Sequence, residues 1–299
     1  MKSFNVYFIA TRPWSFSMTI ISVTIGTLMA FKEENISLIS MVAFFITLVG
    51  AILVHGATNV LNDYFDTKYN VDTIMAPTTK YRPHPIIGGY LSKKEVLSES
   101  IIMYLLALIS GFILIIYFSN KIFYICLIGL FISIFYTGKP IALKYRALGE
   151  IAVFIIWGPL MVLGSYMVQR DMFSFDALLI SIPQGLLVAL VLFANNARDT
   201  RFDESRKIKT LGMFQEKTGN IKIFFLFLSF TYIYTLFMII FGVITPIGII
   251  VFLSIFVAIK ILRKFKESFT DDADAQTSKL VNIYGGLLCV TLLLEKIIY

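Results

Sequence analysis

Two short segments of the sequence combine amides, carboxylates and basic residues at helical spacing. In the first, Asn62 and Asp66 are four residues apart and are followed by Asp72. In the second, Asp199 and Asp203 are again four residues apart. Residues at this spacing share one face of a helix. Mg²⁺ prefers one or two carboxylates and completes its shell with water and phosphate oxygens. The segments therefore predict a site that holds a diphosphate through magnesium ions, with Lys and Arg neutralising the remaining charge.

The same residues also suit a simpler role, the solvation of helix ends at a membrane surface. One segment alone favours that interpretation. Here two such segments each follow an apolar stretch, and the two stretches are four apart in the chain. This repetition favours the diphosphate-binding role. The repetition also suggests one domain over residues 1–299, built from two related halves, roughly 1–140 and 141–299.

The composition of the chain excludes most soluble classes. Of its 299 residues, 58% are hydrophobic and 15% are charged, against about 45–50% and about 25% in a soluble domain. The 19 acids and 26 bases are too few to cover a soluble surface of this size. Cys126 and Cys289 each lie inside an apolar run, and His55 and His84 are far apart, so neither a disulfide nor a zinc site is indicated. The chain is predicted to be an all-α polytopic membrane protein, not a nucleic-acid partner.

Nine apolar stretches approach the roughly 20 residues that cross a bilayer. They lie near residues 15–31, 38–61, 97–118, 122–138, 149–168, 177–197, 223–242, 245–262 and 280–295. With the N-terminus in the cytoplasm, only four of the 26 bases fall outside: Lys32, Lys121, Arg170 and Lys296. The positive-inside rule then predicts nine transmembrane helices, N-in and C-out, in the cell membrane. The long polar connections, 62–95 and 198–222, lie inside, so we expect the active-site cleft on the cytoplasmic side.

Several motifs resemble those of the UbiA-type membrane prenyltransferases. That superfamily has an Asn/Asp-rich motif after the second helix and another after the sixth, and both are matched here. Within it, the chain is similar to the 1,4-dihydroxy-2-naphthoate polyprenyltransferases of menaquinone biosynthesis. The residues that carry this narrower resemblance lie at 12–16, 136–150, 158–160, 195–203 and 209–211.

The first motif departs from the pattern of many relatives at one position. Those relatives carry another Asp four residues after the one matching Asp66, where this chain has Asn70. Asp72 follows two residues later, where the naphthoate branch often has an acid. We therefore assign Asn62 and Asp66 directly, and Asp72 as a substitute for the missing acid.

The resemblance implies transfer of a polyprenyl group from its diphosphate to an aromatic ring carbon, with Mg²⁺ as cofactor and membrane lipid as surroundings. The implied acceptor is 1,4-dihydroxy-2-naphthoate. Other branches use 4-hydroxybenzoate, homogentisate or a glycerophosphate lipid, and these acceptors remain alternatives.

The resemblance also implies roles for particular residues. The catalytic and metal-binding set is Asn62, Asp66, Asp199 and Asp203. The substrate-binding set is Asp63, Asp72, Arg82, Lys144, Asn196 and Arg198, of which Arg82 and Lys144 would contact phosphate. Glu150, at the start of the fifth span, would either pair with a base at the helix end or help to deprotonate the aromatic substrate.

An ion-coupled transporter and a non-catalytic lipid-binding scaffold are the two alternatives to an enzyme. An ion-coupled transporter usually places ionisable groups near the bilayer midplane. Here the centres of all nine predicted spans lack Asp, Glu, Lys and Arg, and the acids lie at span ends. A lipid-binding scaffold without catalysis would not need paired acids. Both comparisons favour an enzyme that works at the membrane interface.

Overall fold

The computed structural model describes residues 4–33, 35–74, 82–205, 208–214, 217–266 and 268–298. Its helices are α1 Phe4–Ala10, α2 Phe16–Glu33, α3 Leu38–Lys68, α4 Lys93–Tyr117, α5 Phe123–Phe135, α6 Gly149–Arg170, α7 Phe175–Ser205, α8 Lys217–Ile240, α9 Pro246–Lys264 and α10 Ala273–Ile298. Within the described ranges, the β structure is a single isolated bridge between Arg146 and Lys209. The predicted all-α class is confirmed.

Eight helices in the described residues are long and apolar enough to cross a membrane. The remaining predicted span, 122–138, corresponds to a shorter apolar helix, Asn120–Phe135, which consists of α5 and the turn before it. The chain is therefore a multi-pass membrane protein. Nine crossings, the N-in orientation and the division into two halves stay predictions.

The two helices that carry the acidic segments run well beyond their predicted spans. The second span was expected to end at residue 61, but α3 continues to Lys68; the sixth was expected to end at residue 197, but α7 continues to Ser205. Neither extension contains Gly or Pro, so no residue stops the helix at the membrane boundary. The prediction that each acidic segment is helical is confirmed for Asn62, Asp66, Asp199 and Asp203.

The helix α3 ends at Lys68, and Asn70 shortly after it is a residue suited to a turn. Asn70 has a φ of 56°, in the left-handed region that Asn tolerates better than most residues. The backbone N–H groups of Val71 and Asp72 then both donate to the carbonyl of Asp66. The chain after α3 therefore folds back against the helix instead of continuing away from it.

The interior of the bundle is formed mainly by α2, α7 and α10. Ile25, Leu187, Leu280 and Leu288 are fully buried there. The outward faces of α4, α5, α8 and α9 expose large apolar side chains, as expected for surfaces that meet lipid tails. At the contact between α6 and α7, a Cβ on Gly185 would lie 2.7 Å from the backbone oxygen of Phe154 and 2.9 Å from Cα of Gly158, so this approach requires glycine.

Two connections at the polar end of the bundle are joined by backbone hydrogen bonds. The N–H of Ala147, in the loop between α5 and α6, donates to the carbonyl of Lys209 at 2.7 Å. The N–H of Lys209 donates in return to the carbonyl of Tyr145 at 3.2 Å. The loop that carries Lys144 is thus held against the connection that follows α7.

Candidate active site

Asn62 and Asp66 form the centre of the first cluster, on the last two turns of α3. Nδ2 of Asn62 donates to Oδ2 of Asp66 at 2.9 Å, as their four-residue spacing permits. Lys144 reaches both residues, with Nζ 2.6 Å from Oδ2 of Asp66 and 3.2 Å from Oδ1 of Asn62. The hydroxyl of Tyr145 donates to the other oxygen of Asp66. Three donors thus hold the buried Asp66 carboxylate in one orientation.

Lys144 is surrounded by negative charge. Burial alone would lower the pKa of its ammonium group, but the carboxylates of Asp66 and Asp72 raise this pKa above its ordinary value. The side chain therefore stays cationic, as a phosphate ligand must.

Asp63 lies behind this cluster and binds two arginines. Its carboxylate is fully buried, and Arg82 forms a two-pronged pair with it at 2.6 and 3.0 Å. Arg12 donates to the same carboxylate at 2.5 Å. Burial and the neighbouring Arg12 charge lower the pKa of Arg82 below its ordinary value. The geometry gives Asp63 the role of fixing two guanidinium groups, and does not support direct contact with substrate.

Asp72 reaches the cluster through the turn that follows α3. It is 7% exposed, whereas Asn70 is exposed to solvent. The backbone N–H groups of Ile86 and Ile87 donate to Nδ1 of His84, which leaves Nε2 as the protonated nitrogen that donates to Asp72 at 3.2 Å. Burial alone would raise the pKa of Asp72, but this bond and the charges of Lys144 and Arg12 lower it to about 2.

Arg198 holds the second cluster together. Its guanidinium pairs with both oxygens of Asp199, at 2.8 and 2.9 Å, and donates to Oδ1 of Asn195 at 2.6 Å. It also pairs with Asp274 at the start of α10, at 3.0 Å. Asp199 is therefore neutralised by its sequence neighbour, and Arg198 ties α7 to α10.

Asp203 is half-buried and faces other acids. Burial raises the pKa of its carboxyl to about 7, the like charges of Asp199, Asp66 and Asp72 add to the increase, and Lys144 opposes it. The charge of Asp203 therefore interacts with the first cluster, through Asp66, Asp72 and Lys144, and with Asp199 in the second cluster.

Asn196, one turn before Asp199, contacts a different helix. Its Nδ2 donates to Oε1 of Glu150 at 2.9 Å, and both side chains are buried. Glu150 thus pairs with an amide and not with the base that the sequence suggested.

A cavity of about 1030 Å³ connects these groups with the interior of the bundle. Its walls further from the polar end come from α4, α5 and α6, and are formed by apolar residues such as Leu108, Leu130 and Ile156. Seven of the ten predicted site residues line it: Asn62, Asp66, Asp72, Arg82, Lys144, Asn196 and Arg198. The other three, Asp63, Asp199 and Asp203, are also described by the structure but lie outside this lining.

The donor chemistry of the site fits Mg²⁺. Carboxylate and amide oxygens are the ligands this ion prefers. Burial is the main cause of the raised pKa of Asp203, and a divalent cation bound beside its carboxylate would stabilise the charged form. Among the described residues, Asp63, Asp72 and His84 have ligand atoms within 4.8 Å of one another. Two arginines bind the Asp63 carboxylate of this group, as Arg198 binds Asp199 in the second acidic segment.

Sequence reasoning gave no role to Arg12 or Tyr145, although both belong to segments that carried the family resemblance. Arg12 is 51 positions from Asp63, and Tyr145 is 79 from Asp66. Such distant pairs leave no periodic signal in one sequence, so only the fold brings them together.

Comparison with known proteins places the chain among one group of membrane proteins. A sequence model of the UbiA prenyltransferase family matches residues 19–283. UbiA prenyltransferase domain-containing protein 1 of Xenopus tropicalis is 30% identical, over 95% of this chain and 80% of its own length. The 1,4-dihydroxy-2-naphthoate octaprenyltransferase of Bacillus subtilis is 27% identical, over 95% of this chain and 91% of its own length.

Solved structures share the fold. A UbiA homolog from Aeropyrum pernix has a TM-score of 0.70 at 14% identity, over 92% of this chain and 97% of the homolog. A UbiA homolog from Archaeoglobus fulgidus, bound to GPP and Mg²⁺, has a TM-score of 0.65 at 16% identity, over 95% and 99% of the two chains.

Proposed function

The chain belongs to the UbiA prenyltransferase family, and from this premise we propose that it transfers a polyprenyl group from an allylic polyprenyl diphosphate to 1,4-dihydroxy-2-naphthoate. The observation that carries the proposal is the continuous cavity with basic and acidic groups at one end and apolar walls beyond them. A polyprenyl diphosphate has the same division into a charged head and an apolar tail. The Bacillus subtilis relative, named for the naphthoate acceptor, supports the choice of acceptor.

The basic residues of the cavity would bind the diphosphate. Lys144 and Arg82 line it from two different connections, and Arg198 lines it from α7. Asp63 fixes the orientation of Arg82 through a two-pronged pair. Because these cations are already positioned by buried carboxylates, they need little reorganisation to accept a phosphate.

Magnesium would be held by Asn62, Asp66, Asp199 and Asp203, with Asp72 as a further oxygen donor. Bound Mg²⁺ supplies Lewis-acid stabilisation of the negative charge that develops on the departing diphosphate. It is the cofactor present with GPP in the Archaeoglobus fulgidus homolog.

In the proposed reaction, the bond between the allylic carbon and the diphosphate oxygen breaks, and the oxygen keeps the electron pair. The electron-rich ring of the acceptor then forms the new carbon–carbon bond and releases the proton of the attacked carbon. The apolar walls on α4, α5 and α6 would keep water from the allylic cation, which water would otherwise convert to an alcohol. The same walls would hold the prenyl tail.

We propose further that this chemistry takes place at the cytoplasmic face of the cell membrane. The proposal is supported by the distribution of bases, which favours an inner position for the extended ends of α3 and α7. It also agrees with the intracellular supply that a charged diphosphate donor needs.

A panel of acceptors tests the proposal. Purified protein would be incubated with Mg²⁺ and geranylgeranyl diphosphate, together with 1,4-dihydroxy-2-naphthoate, 4-hydroxybenzoate, homogentisate or geranylgeranylglyceryl phosphate. Mass spectrometry should detect the prenylated naphthoate product. Transfer only to one of the other acceptors would overturn the choice of acceptor, and no transfer to any of them would overturn the proposed function itself.

A further inference from the structure

Glu150 is a buried acid that lies directly behind the wall of the cavity. It belongs to the first turn of α6 and is 5% exposed. Among the described residues, its side-chain hydrogen-bond partner is Asn196, whose Nδ2 donates to Oε1 at 2.9 Å, and the backbone N–H of Leu211 also acts on its carboxylate. Asn196 lines the cavity, whereas Glu150 is absent from the described residues that do so. An acid on α6 therefore supports a polar group that the cavity presents from α7.

The second oxygen of Glu150 argues against a purely structural role. Oε2 is buried and has no hydrogen-bond partner among the described residues. A buried polar atom without a partner reduces stability. A contact between α6 and α7 that served stability alone would be apolar, or would satisfy both oxygens. The role of Glu150 is therefore better explained by its effect on the orientation of the Asn196 amide.

A carboxylate restricts a neighbouring amide in a way that another amide cannot. It only accepts hydrogen bonds, so it selects the orientation in which Asn196 turns its NH₂ group toward Glu150. The carbonyl oxygen Oδ1 then points away from Glu150, as an acceptor on the cavity wall. Gln in place of Glu150 could either accept or donate, and would allow both orientations of the amide.

We propose that Glu150 is a positioning residue that orients Asn196 so that Oδ1 accepts a hydrogen bond from a ring hydroxyl of the aromatic acceptor. The inference rests on the proposed function, because it requires a hydroxylated aromatic molecule in this cavity. An oxygen that can only accept a hydrogen bond favours a substrate with a hydroxyl at that position over an analogue with hydrogen there. The analogue would leave Oδ1 of Asn196 desolvated and without a donor. The pair thus contributes to acceptor specificity and not to diphosphate binding.

Substrates that lack one hydroxyl test this role. Wild type and Glu150→Gln would be assayed with Mg²⁺, geranylgeranyl diphosphate and three acceptors: 1,4-dihydroxy-2-naphthoate, 1-hydroxy-2-naphthoate and 4-hydroxy-2-naphthoate. For each protein, the kcat/KM for the dihydroxy acceptor is divided by that for an analogue. The intrinsic reactivity of each ring is the same in both proteins, so it cancels when the two ratios are compared. We expect the preference for the dihydroxy acceptor over one analogue to fall about tenfold in Glu150→Gln, as for loss of one buried hydrogen bond. The KM for the donor and the Tm should stay unchanged.

Glu99→Gln is the matched control. Glu99 is also an acid near the start of a membrane helix, and its Oε2 is likewise buried without a hydrogen-bond partner among the described residues, but it is not part of the described cavity lining. This variant should keep the wild-type preference. If Glu150→Gln keeps it too, or if it changes donor and acceptor constants equally with a lower Tm, Glu150 is structural and the inference is wrong.

A second variant and a binding measurement keep the test decisive. Asn196→Leu removes the amide while keeping its size, so it should lose the same preference even if Glu150→Gln does not fold. Trp14 and Trp157 line the cavity, so quenching of their fluorescence can report binding of each naphthoate without turnover. Absence of turnover in wild type would contradict the proposed function, whereas equal preference in wild type and both variants would contradict only this inference.

Discussion

The carboxylate of Asp66 is the point at which α3 meets the loop between α5 and α6. It accepts hydrogen bonds from Asn62 on its own helix and from Lys144 and Tyr145 on the loop between α5 and α6. The carboxyl group of Asp66 is therefore fixed in position before any substrate binds, which is the arrangement that lowers the reorganisation cost of a charged transition state.

Replacing Asp66 by Asn tests its assignment as a metal ligand. The change keeps the shape of the side chain and removes the charge that would hold Mg²⁺. We expect turnover to fall about a thousandfold, equivalent to roughly 4 kcal/mol of transition-state stabilisation, and Asp203→Ala to lose a similar amount. Initial rates at saturating donor would measure the effect.

The matched control is Asp171→Asn, in the turn between α6 and α7, where the carboxylate pairs with Lys121 and about half of its side-chain surface is exposed. It should retain wild-type turnover. A folded Asp66→Asn protein with near-native turnover would show that Asp66 is not a metal ligand.

Asp72 and Asn70 differ in burial, so substitutions at the two positions should affect turnover differently. Asp72 lines the cavity beside His84, while Asn70 is exposed in a left-handed turn. We expect Asp72→Ala to reduce turnover by less than Asp66→Ala does, because Asp72 is a supporting oxygen donor. Asn70→Asp, which restores the acid of the common motif, should leave turnover unchanged, because that position faces solvent. An increase in turnover on Asn70→Asp would mean that the spacing of the motif, and not the fold of the turn, determines the function.

The helices α4 and α5 determine how much room the cavity offers to a prenyl tail. Gly111 on α4 and Gly129 on α5 both line it, and a Cβ added to either would meet no atom within 4 Å. The cavity wall extends along α5 from Ser133 to Phe123, about 15 Å at 1.5 Å per residue. Two glycines in this wall therefore keep open the apolar part of the cavity.

Filling that space should change the preferred length of the donor. We expect Gly129→Leu to lower kcat/KM for geranylgeranyl diphosphate about tenfold more than for geranyl diphosphate, because the added side chain occupies the path of the longer tail. Competition between the two donors, followed by mass spectrometry, would measure the ratio.

Gly286→Leu on α10 is the control for this change. A Cβ at Gly286 also meets no atom within 4 Å, but the residue does not belong to the described lining of the cavity. The donor preference should therefore remain that of wild type. An unchanged preference in Gly129→Leu as well would place the prenyl tail elsewhere.

At the scale of the whole molecule, the polar end of the bundle gathers the ends of α3 and α7 with the starts of α6 and α10. Lys144, in the loop just before α6, pairs with Asp66 at the end of α3, and Arg198 on α7 pairs with Asp274 at the start of α10. Both acidic segments must then face the same compartment.

Cysteine labelling tests which compartment that is. In a background without Cys126 and Cys289, single cysteines at Thr67 and Thr200 should react with an impermeant thiol reagent only after the cells are opened. The reason is the strong excess of Lys and Arg on the connections at this end. Labelling of either cysteine in intact cells would reverse the proposed orientation.

Removal of divalent metal tests the chemistry of the molecule as a whole. Because carboxylates such as Asp66 and Asp203 would repel a diphosphate unless a cation lay between them, EDTA should abolish turnover and added Mg²⁺ should restore it. Product formation by mass spectrometry provides the measurement. Full activity in the presence of the chelator would exclude a metal-bridged diphosphate.

The sequence by itself determined the class of protein and the position of the acidic pairs. Long apolar stretches leave few alternatives to membrane helices, because backbone groups in lipid must bond within the segment. A four-residue spacing survives wherever the helix continues, as it does through Asp66 and Asp203. Local patterns of this kind need no knowledge of neighbouring helices.

The tertiary structure decided which of those residues face the cavity. It placed Asp63 behind two arginines, folded Asp72 back toward Lys144, and paired Asn196 with Glu150. These outcomes depend on contacts between residues that are distant in the chain, made by side chains whose direction is set by helix packing and loop conformation. Charge and spacing in one sequence identify the candidates, but burial and partners, which fix what each group can do, exist only in the folded chain.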